Sequence, residues 1–289
     1  MAPEFSTVDV SVRYALVASG SGMQESRLMR VALISDIHGN TVALDAVLND
    51  MSRARPDVIV CLGDIAAGGP DPGGAVDRIA ELGCVAVQGN TDAGMVDMPA
   101  WWRDPASIGL PAPALPGLEV SVWSAEQLSH EQRNYLDALP GTSLVEFGSA
   151  SEILAFHGSP RSADEIIMAT TPADELDAML DGAIVSILAG GHTHVPLVRR
   201  HGNQTLLNPG SVGMPFAEYG YAGGVAVLPH AAYAMVTAVS NEVNIELRQV
   251  LVDHAALEGS VASSEMPHAD WWLGLRRPLH GTSANHACR

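Results

Sequence analysis

Short, continuous apolar runs alternate with segments of helical periodicity along the first third of the chain. Residues 31–34, 58–62 and 84–87 are uninterrupted apolar runs, which is typical of strands buried on both faces. Between the first two runs, apolar residues at helical spacing predict a helix over 41–54. A Gly- and Pro-rich loop over 67–74 leads into a second, shorter helix. This β-α-β-α-β order predicts a buried sheet, at least partly parallel, with helices packed on it.

The second half of the chain predicts further helices and a second group of strands. Amphipathic spacing predicts one long helix over 124–139, and a helix over 172–180 has Thr171 as its candidate cap. Apolar runs predict strands at 153–156 and 184–188. Five shorter segments of alternating character are predicted to pair as antiparallel strands of a second sheet. These segments are 197–200, 204–207, 223–228, 234–239 and 243–250.

The two ends of the chain differ from this body. Residues 1–28 are polar, Ser-rich and weakly patterned, which predicts a disordered or loosely attached leader before a single domain over 29–252. The tail over 253–289 is rich in Ser, His and Ala, but it contains an apolar group around Trp271 and Trp272. This Trp pair either contacts a second copy of the chain in a homodimer or docks back onto the domain.

Composition limits the classes of partner and chemistry. Among 289 residues, 15 basic residues face 33 acidic ones, the net charge is −18, and every basic residue is Arg. A chain this acidic, with no basic stripe, is not expected to bind a nucleic-acid duplex or an anionic membrane. The absence of Lys excludes Walker-type phosphate loops and Schiff-base chemistry. Widely spaced cysteines, no apolar run long enough to span a membrane and no basic N-terminal region predict a cytoplasmic protein.

Residue types that bind metals stand where five of the predicted strands end. They are Asp36, His38, Asp64, Asn90, His157, His192 and His194. Residues two apart in extended chain point the same way, so Asp36 and His38 can present two ligands toward one point, as can the two His around Thr193. Nitrogen and oxygen donors without a thiolate suit Mn, Fe, Zn, Co or Ni. Because seven ligands are too many for one tetrahedral site, we expect two metals that share a bridging ligand.

The order of these motifs resembles the calcineurin-like metallophosphoesterase superfamily. The motifs are Ser35-Asp-Ile-His-Gly-Asn40, Gly63-Asp64, Gly89-Asn-Thr-Asp92, His157-Gly158, Gly191-His-Thr-His194 and Asn208-Pro-Gly-Ser211. The last motif and the Gly-Asn-Thr-Asp variant are most similar to the compact bacterial and archaeal phosphodiesterase-like branch. The resemblance covers about residues 29–252 and implies an α/β fold, a two-sheet α/β/β/α sandwich.

The resemblance also implies which residues hold each metal. One divalent ion is expected at Asp36, His38, Asp64 and His194. The other is expected at Asp64, Asn90, His157 and His192, so that Asp64 bridges the two. Mn is favoured among the candidate transition metals. The implied reaction is in-line attack of a metal-bridging hydroxide on phosphorus, with Asp64, Asn90 and His192 as the catalytic set.

A phosphodiesterase acting on a small phosphoester is the favoured function. The alternatives are a phosphomonoesterase, including a protein phosphatase, and a weakly catalytic metal-binding scaffold of the same fold. The complete ligand set argues against the scaffold, which would not need all seven residues. Asn40 and Arg161 are candidate substrate contacts, although Asn40 is equally suited to cap the first helix.

Thr91 departs from the family pattern. Many members have a His at this position, as a presumed acid for the leaving group, and a threonine hydroxyl is too weak an acid for that role. We therefore expect either a preference for esters with good leaving groups or an acid from elsewhere in the chain. His201 and Asp92 are the candidates for that acid.

Aromatic residues near the motifs have two interpretations. Trp101 and Trp102, together with Arg103, either stack on and clamp a substrate or pack as a lid or subunit contact. The same two interpretations apply to Phe216, Glu218 and Tyr219, which follow the Asn-Pro-Gly-Ser motif.

Overall fold

Two mixed β-sheets with flanking helices make up the fold. The structure, a computed structural model, describes residues 12–15, 28–109, 115–147, 151–217, 226–239 and 242–276. The strands are β1 Val12–Ala15, β2 Met29–Ile34, β3 Val58–Cys61, β4 Val85–Ala86, β5 Ser143–Phe147, β6 Ser151–Ala155, β7 Ile187–Ala189, β8 Leu197–His201, β9 Gln204–Asn208, β10 His230–Val239 and β11 Glu242–Leu251. The helices are α1 Thr41–Ala54, α2 Pro72–Leu82, α3 Asn90–Val96, α4 Ala100–Arg103, α5 Leu115–Gln127, α6 His130–Asp137, α7 Ala173–Leu180, α8 His254–Ser264 and α9 Ala269–Gly274.

Each sheet has a parallel core with antiparallel strands beside it. One sheet has the order β11-β10-β2-β3-β4, with β2, β3 and β4 parallel and β10 antiparallel to β2. The other has the order β1-β5-β6-β7-β9-β8, with β6, β7 and β9 parallel. The parallel strands of both sheets therefore supply carboxyl ends where side chains from different strands can meet.

The sheets pack against each other, and helices cover their outer faces. Alternate residues of β2 point to opposite sides: Val31 and Leu33 join the cluster between the sheets, while Ala32 and Ile34 face the helix layer. The outer face of the second sheet is covered by α7. Burial on both faces explains the uninterrupted apolar runs, and the predicted α/β/β/α sandwich is confirmed.

The long helix predicted over 124–139 is wrong. Two helices, α5 and α6, occupy this region, and α6 restarts at a reciprocal cap. The Ser129 hydroxyl accepts a hydrogen bond from the Gln132 N–H at 3.2 Å, and the Gln132 side-chain oxygen accepts from the Ser129 N–H at 2.9 Å. These bonds satisfy backbone donors that a continuous helix would satisfy with carbonyls, so the chain can turn here.

The separate antiparallel sheet predicted for the later segments is also wrong. The β8–β9 hairpin extends the sheet that contains β7, and the β10–β11 hairpin extends the sheet that contains β2. Each hairpin is antiparallel within itself, as its alternation predicts, but it completes an existing sheet. Of the segment 223–228, Val227 forms an isolated bridge with Phe216, and residues 223–225 lie outside the described residues.

Two local boundaries differ from the prediction as well. Pro172 is the residue before α7, and the Thr171 hydroxyl accepts from the Met168 N–H at 2.9 Å instead of capping the helix. The strand predicted at 184–188 begins only at Ile187. Ile184 lies outside the sheet, and 79% of its surface is exposed.

The two end segments contact the domain where they are described. Within the predicted leader, β1 pairs parallel with β5 at the sheet edge, and the rest of 1–27 lies outside the described residues. In the tail, α8 and α9 bury Leu257, Val261 and Trp272 against α5. The Trp pair thus docks back onto the domain. No helix in the described part of the chain has the length and apolar character needed to cross a membrane.

Candidate metal centre

The seven candidate ligands come from turns that follow parallel strands. Five of them have left-handed backbone conformations: Asp36 (φ 55°), His38 (φ 50°), Asp64 (φ 55°), His192 (φ 66°) and His194 (φ 60°). Such a conformation costs about 1–3 kcal/mol for a residue with a side chain, and it persists only where the surroundings enforce it. This concentration of strain marks the sheet edge as a functional site.

Asp36, His38 and His194 form the first ligand group. The Nε2 atoms of the two imidazoles are 3.0 Å apart. The Oδ1 atom of Asp36 is 3.4 Å from Nε2 of His194 and 3.9 Å from Nε2 of His38. The three donor atoms therefore converge on one point.

Asp64, His157 and His192 form the second ligand group, and Asn90 lies against it. Nε2 of His157 is 3.4 Å from Oδ2 of Asp64 and 3.1 Å from Oδ1 of Asn90. The same Asp64 oxygen is 3.7 Å from Nε2 of His38, which belongs to the first group. Asp64 thus stands between the groups, where a bridging ligand would be needed.

Backbone carbonyls fix the orientation of three imidazoles. Nδ1 of His38 lies 2.6 Å from the Ala67 carbonyl oxygen, and Nδ1 of His157 lies 2.7 Å from that of Leu62. His194 makes the equivalent contact with Met214 at 2.7 Å. In each case Nδ1 carries the proton and donates it to the carbonyl. The lone pair of Nε2 is thereby left for a metal.

A buried oxygen shows that a cation fits here. Asp36 is fully buried, and its Oδ1 atom has no hydrogen-bond partner among the described residues. An ionised carboxylate without compensation is costly to bury, so this oxygen requires a positive charge beside it. Imidazole nitrogens and carboxylate or amide oxygens are ligands of divalent transition metals, and the residues present fit two such ions.

The electrostatics of the site point the same way. Burial by itself would raise the pKa of Asp36, but the neighbouring His194 and His157 hold it below its ordinary value. Burial lowers the pKa values of His38 and His192, which favours the neutral imidazoles that metals bind. Burial opposes protonation of His157, yet the charge and hydrogen bond of Asp64 raise its pKa to about 10. Asp64 thus stabilises positive charge at Nε2 of His157, where a metal would compete with a proton.

Asp92 ties together the two turns that carry Asp64 and Asn90. Its carboxylate is fully buried and accepts from the N–H groups of Asp64, Ile65 and Gly89 at 2.8, 2.9 and 3.0 Å. Burial raises the pKa of Asp92 to about 6, and the charge of Asp64 adds to this. The candidate leaving-group acid thus has its oxygens engaged inside the fold. The sequence gives one sign that Asp92 binds backbone N–H groups: it stands three positions after Gly89, the residue that caps α3.

The tail supports the loop that orients His38. The Trp272 side chain donates from Nε1 to the Gly68 carbonyl at 2.6 Å. Gly68 follows Ala67, whose carbonyl receives the Nδ1 proton of His38. Trp272 is fully buried, so its ring holds this loop in place without facing the ligands.

The tail supports the loop that orients His194 in the same way. Arg276 donates from Nη2 to the Gly213 carbonyl at 3.1 Å, next to Met214, and its guanidinium lies 3.4 Å over the Trp272 ring. Burial lowers the pKa of Arg276 to about 9, so it is still charged at neutral pH. The sequence singles out the Trp pair but gives no sign that it braces metal ligands.

Other predicted site residues have structural partners. Asn40 caps α1 by accepting from the Ala43 N–H at 3.1 Å, and it donates to the Gly213 carbonyl at 3.1 Å. Arg161 is held by Glu165, with Nε donating to the carboxylate oxygens at 2.9 and 3.1 Å. Both residues therefore contact other residues of this chain.

His201 is not brought to the centre. It ends β8, which is antiparallel to β9, and so it lies at the sheet edge opposite the ligands. Its Nε2 atom is 2.6 Å from Oδ1 of Asp177 on α7. The hypothesis that His201 supplies the leaving-group acid is therefore wrong.

Thr91 and Phe216 lie beside the ligands. Thr91 donates its backbone N–H to Oδ1 of Asp64 at 3.0 Å, and its buried hydroxyl has no partner among the described residues. The Phe216 ring stacks on the His194 imidazole, with centroids 4.1 Å apart. Phe216 thus packs against a candidate ligand, while Glu218 and Tyr219 lie outside the described residues.

Comparison with known proteins identifies relatives of this chain. A model of the calcineurin-like phosphoesterase superfamily domain matches residues 29–229. An uncharacterized protein of Methanocaldococcus jannaschii is 30% identical over 202 residues, which are 64% of this chain and 76% of that protein. A crystal structure of a metallophosphoesterase from Sphaerobacter thermophilus has 26% identity and a TM-score of 0.61, over 86% of this chain and 98% of that one. A hypothetical protein from Pyrococcus horikoshii shares the fold, with 20% identity, a TM-score of 0.66 and coverage of 86% and 97%.

Proposed function

The chain belongs to the calcineurin-like phosphoesterase superfamily, and on that premise we propose that it is a two-metal phosphodiesterase that acts on a small phosphodiester. The observation that carries this proposal is the pair of ligand groups with Asp64 between them. The unpartnered oxygen of Asp36 supports it, because that oxygen needs a cation. Mn²⁺ is the metal to test first, since the donors are imidazole nitrogens together with carboxylate and amide oxygens.

The chain's own residues prepare the site for hydrolysis. Two divalent ions, when bound, would lower the pKa of a water molecule and polarise the phosphoryl oxygens. The carbonyl contacts of His38, His157 and His194 hold the imidazoles so that no reorientation is needed at the moment of reaction. A P–O bond forms to the oxygen of water while the P–O bond to the alcohol breaks, and the proton ends on the alcohol or on solvent.

The charges around the site favour a diester over a monoester. A phosphomonoester carries one more negative charge than a diester, and positive side chains usually help to bind it. Arg161 is engaged by Glu165, and no Arg is among the described residues that line the groove beside Asn90. Two divalent ions would leave positive charge at the centre even beside its two carboxylates. The distinction therefore rests on the groove lining without Arg: a singly charged diester needs no further cation there.

Matched substrates test this proposal. Bis(4-nitrophenyl) phosphate and 4-nitrophenyl phosphate share a leaving group, so their kcat/KM values with the Mn²⁺-loaded protein compare diester with monoester. We expect the diester to be preferred and Asp64→Asn to abolish turnover. The matched control Asp174→Asn, at an exposed position of α7, should not change it. A preference for the monoester would make the protein a phosphomonoesterase, and no turnover with both metals bound would make it a binding scaffold.

A further inference from the structure

A groove with a volume of about 570 Å³ opens beside the second ligand group. Asn90 and Thr91, at the start of α3, form its inner end, and Asn90 is the residue that lies 3.1 Å from His157. From there the groove follows α3 toward α4. Because α3 has seven residues and rises 1.5 Å per residue, the part of the groove beside it is about 10 Å long. That length is enough to hold an alcohol that carries an aromatic ring. The groove is therefore within reach of an organic group of a phosphodiester held at the metal centre.

Tryptophan rings form one wall of the groove. Trp102 is buried against Gly94, where even a Cβ atom would lie 2.6 Å from the ring, so this wall is fixed. Trp101 meets it edge to face, with centroids 6.2 Å apart, and keeps 37% of its surface exposed. Pro99 and Leu118 add apolar surface. An exposed ring on a rigid apolar wall is suited to stack on another ring.

The charged groups in the groove are acidic. Asp97 and Asp164 line it, and the described lining residues include no Arg. Arg103 is exposed on the same helix as Trp101 but is not part of the lining. A second phosphate or a carboxylate in this groove would be repelled, whereas an uncharged or cationic group would not.

We propose that this groove binds the organic group of the substrate, and that this group is a ring-bearing alcohol without negative charge. The inference rests on the proposed function, because it assumes that phosphorus lies at the metal centre. It then names the class of ester: a phosphodiester whose ring stacks on Trp101 beside two carboxylates. Esters that carry a further phosphate or an acidic ring are excluded from this class.

Phosphinates test the groove apart from turnover, because they carry the single negative charge of a diester and neither of their C–P bonds is hydrolysed. Isothermal titration of the full-length Mn²⁺-loaded protein should compare dimethylphosphinate, methyl(phenyl)phosphinate and methyl(4-carboxyphenyl)phosphinate. Burial of the ring against Trp101 should make methyl(phenyl)phosphinate bind about tenfold more tightly than dimethylphosphinate. Two nearby carboxylates should weaken binding of the 4-carboxyphenyl compound about fivefold relative to methyl(phenyl)phosphinate at low salt.

Two variants, each with a control, test which residues cause the tighter binding of the phenyl compound and the weaker binding of the carboxylated one. Trp101→Ala should remove most of the phenyl advantage, while Arg103→Ala, on the same helix but outside the groove, should keep it. The double variant Asp97→Asn/Asp164→Asn should remove the penalty on the carboxylate. The control Glu242→Gln/Asp174→Asn, which also removes two negative charges but at exposed positions outside the groove lining, should not.

The outcomes separate this inference from the proposed function. Equal binding of methyl and phenyl compounds, or a phenyl advantage that survives Trp101→Ala, would overturn the groove assignment and leave the phosphodiesterase intact. Tight binding of the carboxylated compound in the wild type would overturn the charge argument. If none of the three phosphinates binds the Mn²⁺-loaded protein, the phosphoryl site itself, and with it the proposed function, is wrong.

Discussion

Replacing Asp92 by Asn should loosen the two turns that carry Asp64 and Asn90 without changing the size of the side chain. The Oδ2 atom of Asp92 accepts from the N–H groups of Asp64 and Gly89, and Oδ1 accepts from that of Ile65. An amide has one acceptor atom in place of two. Whichever way it turns, its NH₂ group faces at least one backbone N–H, so at least one buried donor loses its partner.

The magnitude follows from these contacts. A hydrogen bond to a charged group contributes about 1.5–3 kcal/mol, and a buried donor left unpaired costs about 1–3 kcal/mol. A neutral amide recovers part of this loss, because burial already disfavours the charge of Asp92 and raises its pKa to about 6. We therefore expect the free energy of unfolding to fall by about 2–3 kcal/mol, which lowers Tm by roughly 3–5 °C for a chain of this length.

Calorimetry of the metal-free protein measures this effect, with Asp174→Asn as the matched control. Metal titration of the same proteins should show a loss of affinity of about tenfold or more, because the turns no longer hold their ligands in register. If Asp92→Asn keeps the Tm and the metal affinity of the wild type and loses only turnover, then Asp92 acts as a proton donor. The positioning role derived from its three hydrogen bonds would then be wrong.

Three further predictions concern the surroundings of the site. Trp272→Phe removes the indole N–H that donates to the Gly68 carbonyl. It should weaken the binding of one of the two metal ions about tenfold in chelator competition, while Trp271→Phe should not. Equal weakening of both ions would indicate a general destabilisation of the fold. Gly191→Ala places a Cβ atom 2.0 Å from the Ser35 hydroxyl oxygen, and it should lower the free energy of unfolding by about 3 kcal/mol. The control Gly259→Ala, whose Cβ atom would have no neighbour within 4 Å, should leave thermal unfolding unchanged. With Thr91 in place of an acid, kcat for aryl phosphodiesters should fall steeply as the leaving-group pKa rises, and a flat dependence would show that another residue supplies the proton.

The fold was predictable where local pattern and packing agree. The apolar runs of β2 and β3 are buried on both faces, so their sequence alone marks them as central strands. Alternation also identifies the later hairpins, but it carries no information about which sheet edge a hairpin joins. The interruption at Ser129 depends on a cap made by two side chains, which amphipathic spacing does not report.

The sequence was sufficient to predict which residues are the candidate metal ligands. Strand ends place Asp36 and Asp64 at one edge, and the motifs supply the rest. What supports those ligands was not predictable, because the partners are far apart in sequence. Trp272 lies 204 positions from the Gly68 carbonyl to which it donates, and no local pattern connects them. The role of Asp92 likewise depends on backbone groups that meet only in the folded chain.

The number of metals bound tests the central claim most directly. The full-length protein, purified with Mn²⁺ and without chelators, should contain about two equivalents by elemental analysis. His194→Ala, in the first ligand group, and His192→Ala, in the second, should each retain about one equivalent. Two equivalents in the wild type and one in each variant would support a dinuclear centre. A wild type with one equivalent or none, or variants that keep both, would contradict it.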